Sequence, residues 1–254
     1  MTENTEKFLK SAKCAFVSLE ETDSTNTLAK KYAKNGAPEW TVIMAESQTA
    51  GRGRQGKSFF SPRGTGLYIS VILRPKAEGD AVTALTTVAA VCMAEAVENT
   101  FSRTPEIKWV NDILIDGKKV CGILTETSFS GKAVPDFAIL GIGVNVCPPK
   151  EGFPDDLRDI AGYVLKEHDE NAKYRLAAAF LDGLFARYDS AFCGGHFEDY
   201  RRRCSIEGKK AEVITPTGSY KAEVISLNDD FSLTVETQTG EKIKVLSGEV
   251  SVKR

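Results

Sequence analysis

The stretch Gly51–Lys57 carries the residues best suited to binding an anion. It reads Gly-Arg-Gly-Arg-Gln-Gly-Lys. Glycines let a backbone approach a ligand closely, and guanidinium groups bind carboxylates and phosphates through paired hydrogen bonds. The stretch lacks the Gly-Lys-Ser/Thr end of a P-loop, and the turn residues 58–64 do not begin the helix that a dinucleotide-binding motif needs. It therefore predicts a phosphate- and carboxylate-binding loop outside both motifs, with a solvated, flexible basic loop as the alternative.

A second group of chemically useful residues lies at 108–112. Lys108 stands inside an apolar run, where a lysine is expected to be paired or to face a ligand. The alternative is a lysine that protects an edge strand from aggregation. Asn111 and Asp112 follow directly, at the point where the strand turns. Their oxygens suit either an ordinary turn or a magnesium ion held through water.

Three polar residues, Ser24, Thr25 and Asn26, stand at the start of a predicted helix. Apolar residues then recur at helical spacing until Gly36, which ends the helix. The free N–H groups and hydroxyls of such a helix start can bind an anion or a polar ring. Simple helix capping is the alternative, and spacing alone favours it.

Hydrophobic periodicity predicts the elements that must position these groups. The predicted strands are 41–45, 66–73, a run that starts at 107 and turns at Asn111 and Asp112, the hairpin arms 113–115 and 120–126, and 137–146. The predicted helices are 80–100, 172–192 and 196–203, with a loop and a short helix over 148–170. In the last strand, the alternation of Gly141 and Gly143 leaves one face bare, which indicates close approach of a ligand or a helix.

The C-terminal part of the chain has a different pattern. Short alternating strands are predicted at 211–215, 220–226, 232–236 and 242–246, separated by turn residues. This pattern predicts a small closed barrel. We therefore expect two domains, 1–205 and 206–254.

Composition narrows the function classes. The chain has 254 residues, 42% of them apolar and 27% charged, a formal charge of −2 and a pI near 5.9, which argues against bulk nucleic-acid binding. The six cysteines show no zinc-binding spacing, and only two histidines are present. No hydrophobic signal sequence and no apolar run of membrane-spanning length stands out. We expect a cytoplasmic protein that binds neither membrane nor nucleic acid.

Five motifs in one order resemble those of the biotin protein ligase family. They are Ser24-Thr25-Asn26 with Gln48, Gly51–Gly56, Lys108–Asp112, Lys119–Leu124 and Gly141–Asn145. The resemblance implies an α+β fold: a catalytic domain of mixed β-sheet and helices related to class II aminoacyl-tRNA synthetases, and a small C-terminal SH3-like barrel. Too few residues precede Ser24 for the DNA-binding domain that some members carry, so the expectation is the monofunctional type.

The resemblance also implies an activity and a set of site residues. The expected reaction is the activation of biotin with ATP and Mg²⁺ to biotinyl-5′-AMP, then transfer of biotin to a lysine of a biotin carboxyl carrier protein, of acetyl-CoA carboxylase or a related carboxylase. The implied catalytic residues are Arg54 and Lys108. The implied biotin-binding residues are Ser24, Thr25, Asn26, Gln48, Arg52, Gly53, Arg54 and Lys108. The implied nucleotide-binding residues are Arg54, Phe59, Asn111, Lys119 and Asn145, with Asp112 near Mg²⁺.

Two departures from the family pattern stand in the sequence. Val110 replaces a usual proline, and Phe59 replaces a usual tryptophan, which keeps an aromatic face for adenine but loses the indole donor. The alternatives are a lipoate–protein ligase with the same adenylate chemistry and a non-catalytic biotin-binding sensor. The sequence leaves a monomer and a homodimer equally open.

Overall fold

A seven-stranded mixed sheet organises most of the chain in this computed structural model, which describes residues 2–76, 80–215, 218–246 and 248–252. The strands are β1 (Ala15–Leu19), β2 (Thr41–Ala45), β3 (Gly66–Leu73), β4 (Glu106–Lys108), β5 (Asp112–Ile115), β6 (Lys118–Ser128) and β7 (Phe137–Asn145). Their order is β1-β2-β3-β7-β6-β5-β4. The β1–β2 pair is parallel and the other pairs are antiparallel.

The central strands β2 and β3 are buried over their whole length. Strands covered on both faces need near-continuous apolar sequence, and both runs have it. The predicted bounds 41–45 and 66–73 are confirmed, and the apolar runs explain why the sequence located these strands so well.

Helices cover the two faces of the sheet unequally. They are α1 (Thr2–Glu6), α2 (Thr25–Lys34), α3 (Ala81–Phe101), α4 (Ala172–Ala191) and α5 (Phe197–Arg203). The main core lies on the face covered by α3 and α4, whereas α2 packs alone against β2, β3 and β7 on the other face. Because α2 is short, part of that second face is left for other groups.

Helix α3 corrects one expectation from the sequence. With 21 residues and a mean hydropathy of 1.5 it is long and apolar enough to cross a membrane, contrary to the expectation that no such run exists. However, 72% of its most apolar window is buried within the fold, as in the core helix of a compact domain.

The segment 148–170 forms turns and contains no helix in the described chain, so the short helix predicted there is wrong. Pro148, Pro149 and Pro154 lack N–H donors and disfavour helix. The end of the segment joins the sheet instead: Ala161 bridges to Lys119, and further backbone bonds run to the end of β7.

The C-terminal β domain is one antiparallel sheet of five strands. They are β8 (Lys210–Thr215), β9 (Gly218–Leu227), β10 (Leu233–Thr237), β11 (Lys242–Val245) and β12 (Glu249–Val252), in the order β11-β10-β9-β8-β12. No pairing closes β11 onto β12 within the described residues. The α+β class with a small C-terminal β domain is confirmed; the domain boundary at 205/206 falls between α5 and β8 and stays a prediction.

Candidate active site

A strip of small residues runs across the sheet face that carries α2, starting beneath the first residues of that helix. We call it the glycine floor, and it consists of Ser70 on β3, Gly141 and Gly143 on β7, and Gly122 on β6. A Cβ atom on Gly141 would overlap the amide of Asn26, and one on Gly143 would lie 2.7 Å from the Phe59 ring. These glycines therefore allow other groups to lie directly on the sheet, as their alternation predicts.

The start of α2 forms a polar network at one end of the glycine floor. Thr25 donates its N–H and its hydroxyl to Oε1 of Gln48, at 2.9 and 3.1 Å. The Ser70 hydroxyl lies 2.8 Å from Oγ1 of Thr25 and 2.6 Å from Oδ1 of Asn26. Ser24 is buried at the helix N-cap, but its side chain makes no capping hydrogen bond. The four predicted biotin-binding residues at 24, 25, 26 and 48 thus lie together.

The basic loop is folded back on itself beside this network. Arg52 bridges to Ser58, and the Gly53 N–H donates to the Lys57 carbonyl at 2.7 Å. Between them lies a single 3₁₀ turn in which Gln55 has a φ of 54°. These backbone contacts give the loop a folded path; whether it is flexible without substrate stays a prediction.

The two arginines of the loop bind different partners. Arg52 pairs through Nη1 with Oε2 of Glu126 at 3.1 Å, and that same oxygen accepts from Nδ2 of Asn26 at 3.0 Å. Arg54 donates from Nη1 to Oδ1 of Asn111 at 3.0 Å. Arg54 thus reaches the 108–112 turn, whereas Arg52 reaches the far end of β6.

The turn between β4 and β5 brings further charges to the same place. Lys108 ends β4, partly buried and directly opposite Asp112 on β5. Two hydrogen bonds of 3.0 Å fix Asn111 to Ile123. The Asn111 side-chain Nδ2 donates to the Ile123 backbone carbonyl, and the Ile123 N–H donates to the Asn111 backbone carbonyl. Lys119 places Nζ 2.7 Å from Oδ1 of Asp112. This ion pair lies at the edge of the glycine floor, because a Cβ on Gly122 would be 3.3 Å from the same Nζ.

The predicted convergence of positive groups is therefore only partly seen. Arg54, Lys108 and Lys119 gather around Asn111 and Asp112. Arg52 lies apart from them, on Glu126.

The two remaining predicted nucleotide-binding residues lie along the floor. Phe59 covers Gly143 and Gly122 and meets the Tyr68 ring edge-on at 6.5 Å. Asn145 ends β7 and donates to the Gly162 carbonyl at 3.0 Å, which ties the segment after 160 to the sheet.

Two residues of this arrangement, Glu126 and Ser70, are absent from the sequence-based set. Gly122, Leu124 and Glu126 alternate along β6, so Glu126 shares the face of the floor, while Ile123 points into the core. That alternation was the available signal for Glu126. Ser70 is a single hydroxyl in an otherwise apolar strand, and a buried hydroxyl needs a partner.

No group of three or more histidine, cysteine, aspartate or glutamate side chains suited to a metal occurs in the described part of the chain. Asp112 is the one carboxylate in the 108–112 turn, and one of its oxygens already faces Lys119. Two cavities of about 330 and 310 Å³ lie elsewhere, one beside the N-terminal end of α4 and one on the C-terminal β domain.

The buried thiols are unsuited to nucleophilic chemistry. Burial raises the pKa of Cys92 and of Cys204 to about 12, and it raises the pKa of Cys121, which lies on the core side of β6. Protonated thiols are poor nucleophiles at neutral pH. The chemistry of this site therefore depends on cations, amides and hydroxyls.

Residues 18–145 match the model of the biotin/lipoate A/B protein ligase family, and every motif named above lies within that range. The chain belongs to this family. It is 34% identical over 236 residues to "Bifunctional ligase/repressor BirA" of Bacillus subtilis, covering 90% of this chain and 71% of that protein. It is 28% identical over 237 residues to "Biotin--[acetyl-CoA-carboxylase] ligase" of Mycobacterium tuberculosis, covering 91% of this chain and 86% of that protein.

The fold of this family member is similar to that of a solved ligase. "Biotin protein ligase from Aquifex aeolicus in complex with biotin and ATP" superposes with a TM-score of 0.76 at 26% identity, covering 94% of this chain and 99% of that one. The resemblance drawn from the motifs is confirmed. The division of roles among the site residues stays a prediction.

Proposed function

We propose that this chain is a biotin ligase that acts in two steps. The biotin carboxylate attacks the α-phosphorus of ATP, the bond to pyrophosphate breaks, and biotinyl-5′-AMP forms. A lysine amine of a biotin carboxyl carrier protein then attacks the acyl carbon, AMP leaves, and the amine loses a proton to solvent. Both nucleophiles belong to substrates, so the enzyme contributes positioning and charge stabilisation.

The observation that carries this proposal is the group of Arg54, Lys108 and Lys119 around the 108–112 turn, next to the glycine floor. Two anions, a carboxylate and a phosphate, repel each other unless cations lie between them. Arg54 is proposed to bridge the biotin carboxylate and the α-phosphate, with Lys108 on the same oxygens. Lys119 is proposed to hold the nucleotide.

The polar network at the start of α2 suits the ureido end of biotin. An apolar bicycle needs a flat surface and a few fixed hydrogen-bonding groups. The glycine floor provides the first, and Ser24, Thr25, Asn26 and Gln48 provide the second. Arg52 and Gly53 are proposed to close over the tail of biotin, and Phe59, Asn111 and Asn145 to bind the nucleotide.

Magnesium is proposed to enter with the triphosphate. The protein offers Asp112 and no carboxylate cluster among its described residues, which fits an ion held mainly by phosphate oxygens, with Asp112 acting through water. When bound, Mg²⁺ neutralises the triphosphate and assists the departure of pyrophosphate.

The partner is proposed to be a biotin carboxyl carrier protein, and the location the cytoplasm. A reaction that consumes ATP and a chain whose six cysteines are all free fit that compartment. The expectations of no nucleic-acid partner and of a monomer or homodimer remain proposals.

Intact mass spectrometry tests the proposed function. The chain is incubated with biotin, Mg·ATP and an apo biotin carboxyl carrier domain, and the carrier should gain the mass of one biotinyl group. A carrier whose acceptor lysine is replaced by arginine is the control and should gain nothing. Labelling with lipoate but not biotin would instead support a lipoate ligase, and no pyrophosphate release with either acid would support a sensor.

A further inference from the structure

Two buried hydrogen bonds hold the residues that separate Lys108 from Asn111. The indole Nε1 of Trp109 donates to the carbonyl of Phe231 at 2.8 Å. The hydroxyl of Tyr200 donates to the carbonyl of Val110 at 3.1 Å. Trp109, Val110 and Tyr200 are all buried. The first anchor comes from the C-terminal β domain and the second from α5, so the turn is fixed by elements more than 80 residues further along the chain.

The anchor in the β domain is itself rigid. Phe231 has a φ of 62° and closes a tight turn in which its N–H donates to the Asn228 carbonyl at 2.8 Å. Its ring stacks on His196 at 4.7 Å and 16°, and meets the rings of Phe197 and Tyr200 edge-on at 5.5 and 5.3 Å. The carbonyl that receives the Trp109 bond therefore has little freedom to move.

The anchor on α5 remains a donor throughout the working pH range. Burial is the largest cause that raises the pKa of Tyr200 well above its usual value, and among the smaller contributions the charge of Arg54 lowers it while that of Asp112 raises it. The hydroxyl is thus neutral, and it lies close enough to the charged groups of the site to feel their fields.

We propose that Trp109, Tyr200 and Phe231 are positioning residues that fix Lys108 and Asn111 for adenylate formation. The inference rests on the proposed biotin ligase function. A shift of the turn would leave buried donors and carbonyls unsatisfied, so the segment has one favoured position. Its neighbours on each side carry the two functional groups: Lys108, and the Asn111 amide that holds Arg54. The C-terminal β domain thereby acts on the chemistry of the first step.

Trp109→Phe and Tyr200→Phe test the proposal by removing one donor each while keeping an aromatic ring. With saturating biotin and Mg·ATP, kcat for pyrophosphate release should fall about 10-fold in each, because small misplacements of a catalytic group cost that much or more. KM for biotin should change little. Tyr188→Phe is the matched control, because it also removes one tyrosine hydroxyl donor, in this case the partly buried hydrogen bond to Glu39, which lies outside the site. It should lose a similar amount of stability and leave kcat unchanged.

A double-mutant cycle separates positioning from general weakening of the fold. In a Lys108→Ala background, Trp109→Phe and Tyr200→Phe should each cost clearly less than about 10-fold, because one of the two groups they position is already gone and only the effect through Asn111 remains. The full 10-fold loss in that background, or an equal loss in Tyr188→Phe, would overturn the proposal.

A readout on the ligand-free protein decides the proposal independently of turnover. Trace acylation of lysines, measured by mass spectrometry, should show a several-fold change in the labelling rate of Lys108 in both variants, relative to the surface Lys31. An unchanged Lys108 rate would refute positioning even in an active enzyme. Absence of pyrophosphate release by the unaltered chain would instead refute the proposed function. The labelling experiment would still test whether Trp109 and Tyr200 fix the position of Lys108, because it needs no turnover.

Discussion

At the level of single residues, the candidate site brings cations from three elements to one turn. Lys108 and Arg54 reach the same turn from different elements, the first from the end of β4 and the second from the basic loop. Lys119 approaches from β6 and already carries a carboxylate partner. Positive charges fixed before the substrate arrives cost no reorganisation when charge develops on phosphorus.

Lys108→Ala is expected to slow adenylation by about 100-fold, the scale for losing one charge-stabilising donor. Single-turnover formation of biotinyl-5′-AMP measures the effect. Lys31→Ala, on the exposed face of α2, is the control and should react at the normal rate. Unchanged adenylate formation in Lys108→Ala would remove this residue from the mechanism.

The residues predicted from sequence and the residues missed differ in a physical way. Thr25, Gln48, Arg54 and Asn111 lie in short local motifs whose residue types announce binding. Glu126 and Ser70 belong to the candidate site because of the face of the strand on which they lie. Only the register of the neighbouring strands shows which face that is. Contacts such as Trp109 with Phe231 join residues 122 positions apart, which spacing along the chain does not encode.

At the level of elements, the glycine floor and the basic loop work as a pair. The loop supplies cations beside a sheet surface whose own residues are small, three glycines and Ser70. Glu126 holds the loop to that surface through Arg52, and through Asn26 it also contacts the start of α2. A single carboxylate thus connects three elements of the site.

Glu126→Gln should loosen the basic loop in the ligand-free protein. Glutamine keeps an oxygen for Asn26 but loses the charge that attracts Arg52, whose side chain is 46% exposed. Limited trypsin digestion should cut faster after Arg52 in this variant, and biotin plus Mg·ATP should slow cleavage in both proteins by ordering the loop. Cleavage at the same rate in all four samples would contradict a loop held by Glu126 and closed by substrates.

Gly143→Ala should damage substrate binding more than folding. The new Cβ would lie 2.7 Å from the Phe59 ring, so that ring must leave its place on the sheet. Pyrophosphate release at low biotin and ATP should fall about 10-fold or more. Gly183→Ala on α4 is the matched control, because its Cβ would meet Cys92 at an ordinary 3.6 Å; equal activity of the two variants would argue against the floor as the binding surface.

The elements that are buried on all sides could largely be predicted from the sequence. Strands β2 and β3 and helix α3 have long apolar runs, which are typical of buried strands and of a buried helix. The final strand β12 has only four residues, and a strand this short has no periodicity to recognise. The short helix expected within 148–170 does not form, because three prolines interrupt the segment.

At the level of the whole molecule, the two parts of the chain meet around Phe231 and His196. His196 is buried, with Nε2 2.7 Å from the Thr87 hydroxyl, and its Nδ1 has no hydrogen-bond partner among the residues that the structure describes. The pKa of His196 is lowered to about 4, mainly by burial and also by the charge of Arg187, against a smaller opposing effect of Asp199. The imidazole is therefore neutral at physiological pH, and its charging would disturb the contact between the two parts.

This histidine should make stability depend on pH below neutrality. The unfolded chain takes up its proton near pH 6.5 and the folded protein only near pH 4, so the stabilisation is complete above about 6.5 and is lost as the pH falls towards 4. The loss amounts to at most about 3 kcal/mol. Urea unfolding at pH 7 and pH 5 should show a smaller difference for His196→Gln than for the unaltered chain; identical differences would contradict the lowered pKa.

The way the segment 148–165 is attached limits how it can move. Its last residues are bonded to Lys119 and to the end of β7, through Ala161, Gly162, Val164 and Leu165. Arg158 is attached as well, because its carbonyl accepts a hydrogen bond from Nζ of Lys118 at 3.1 Å. The border of the proposed nucleotide site next to Asn145 is therefore held to the sheet by backbone bonds.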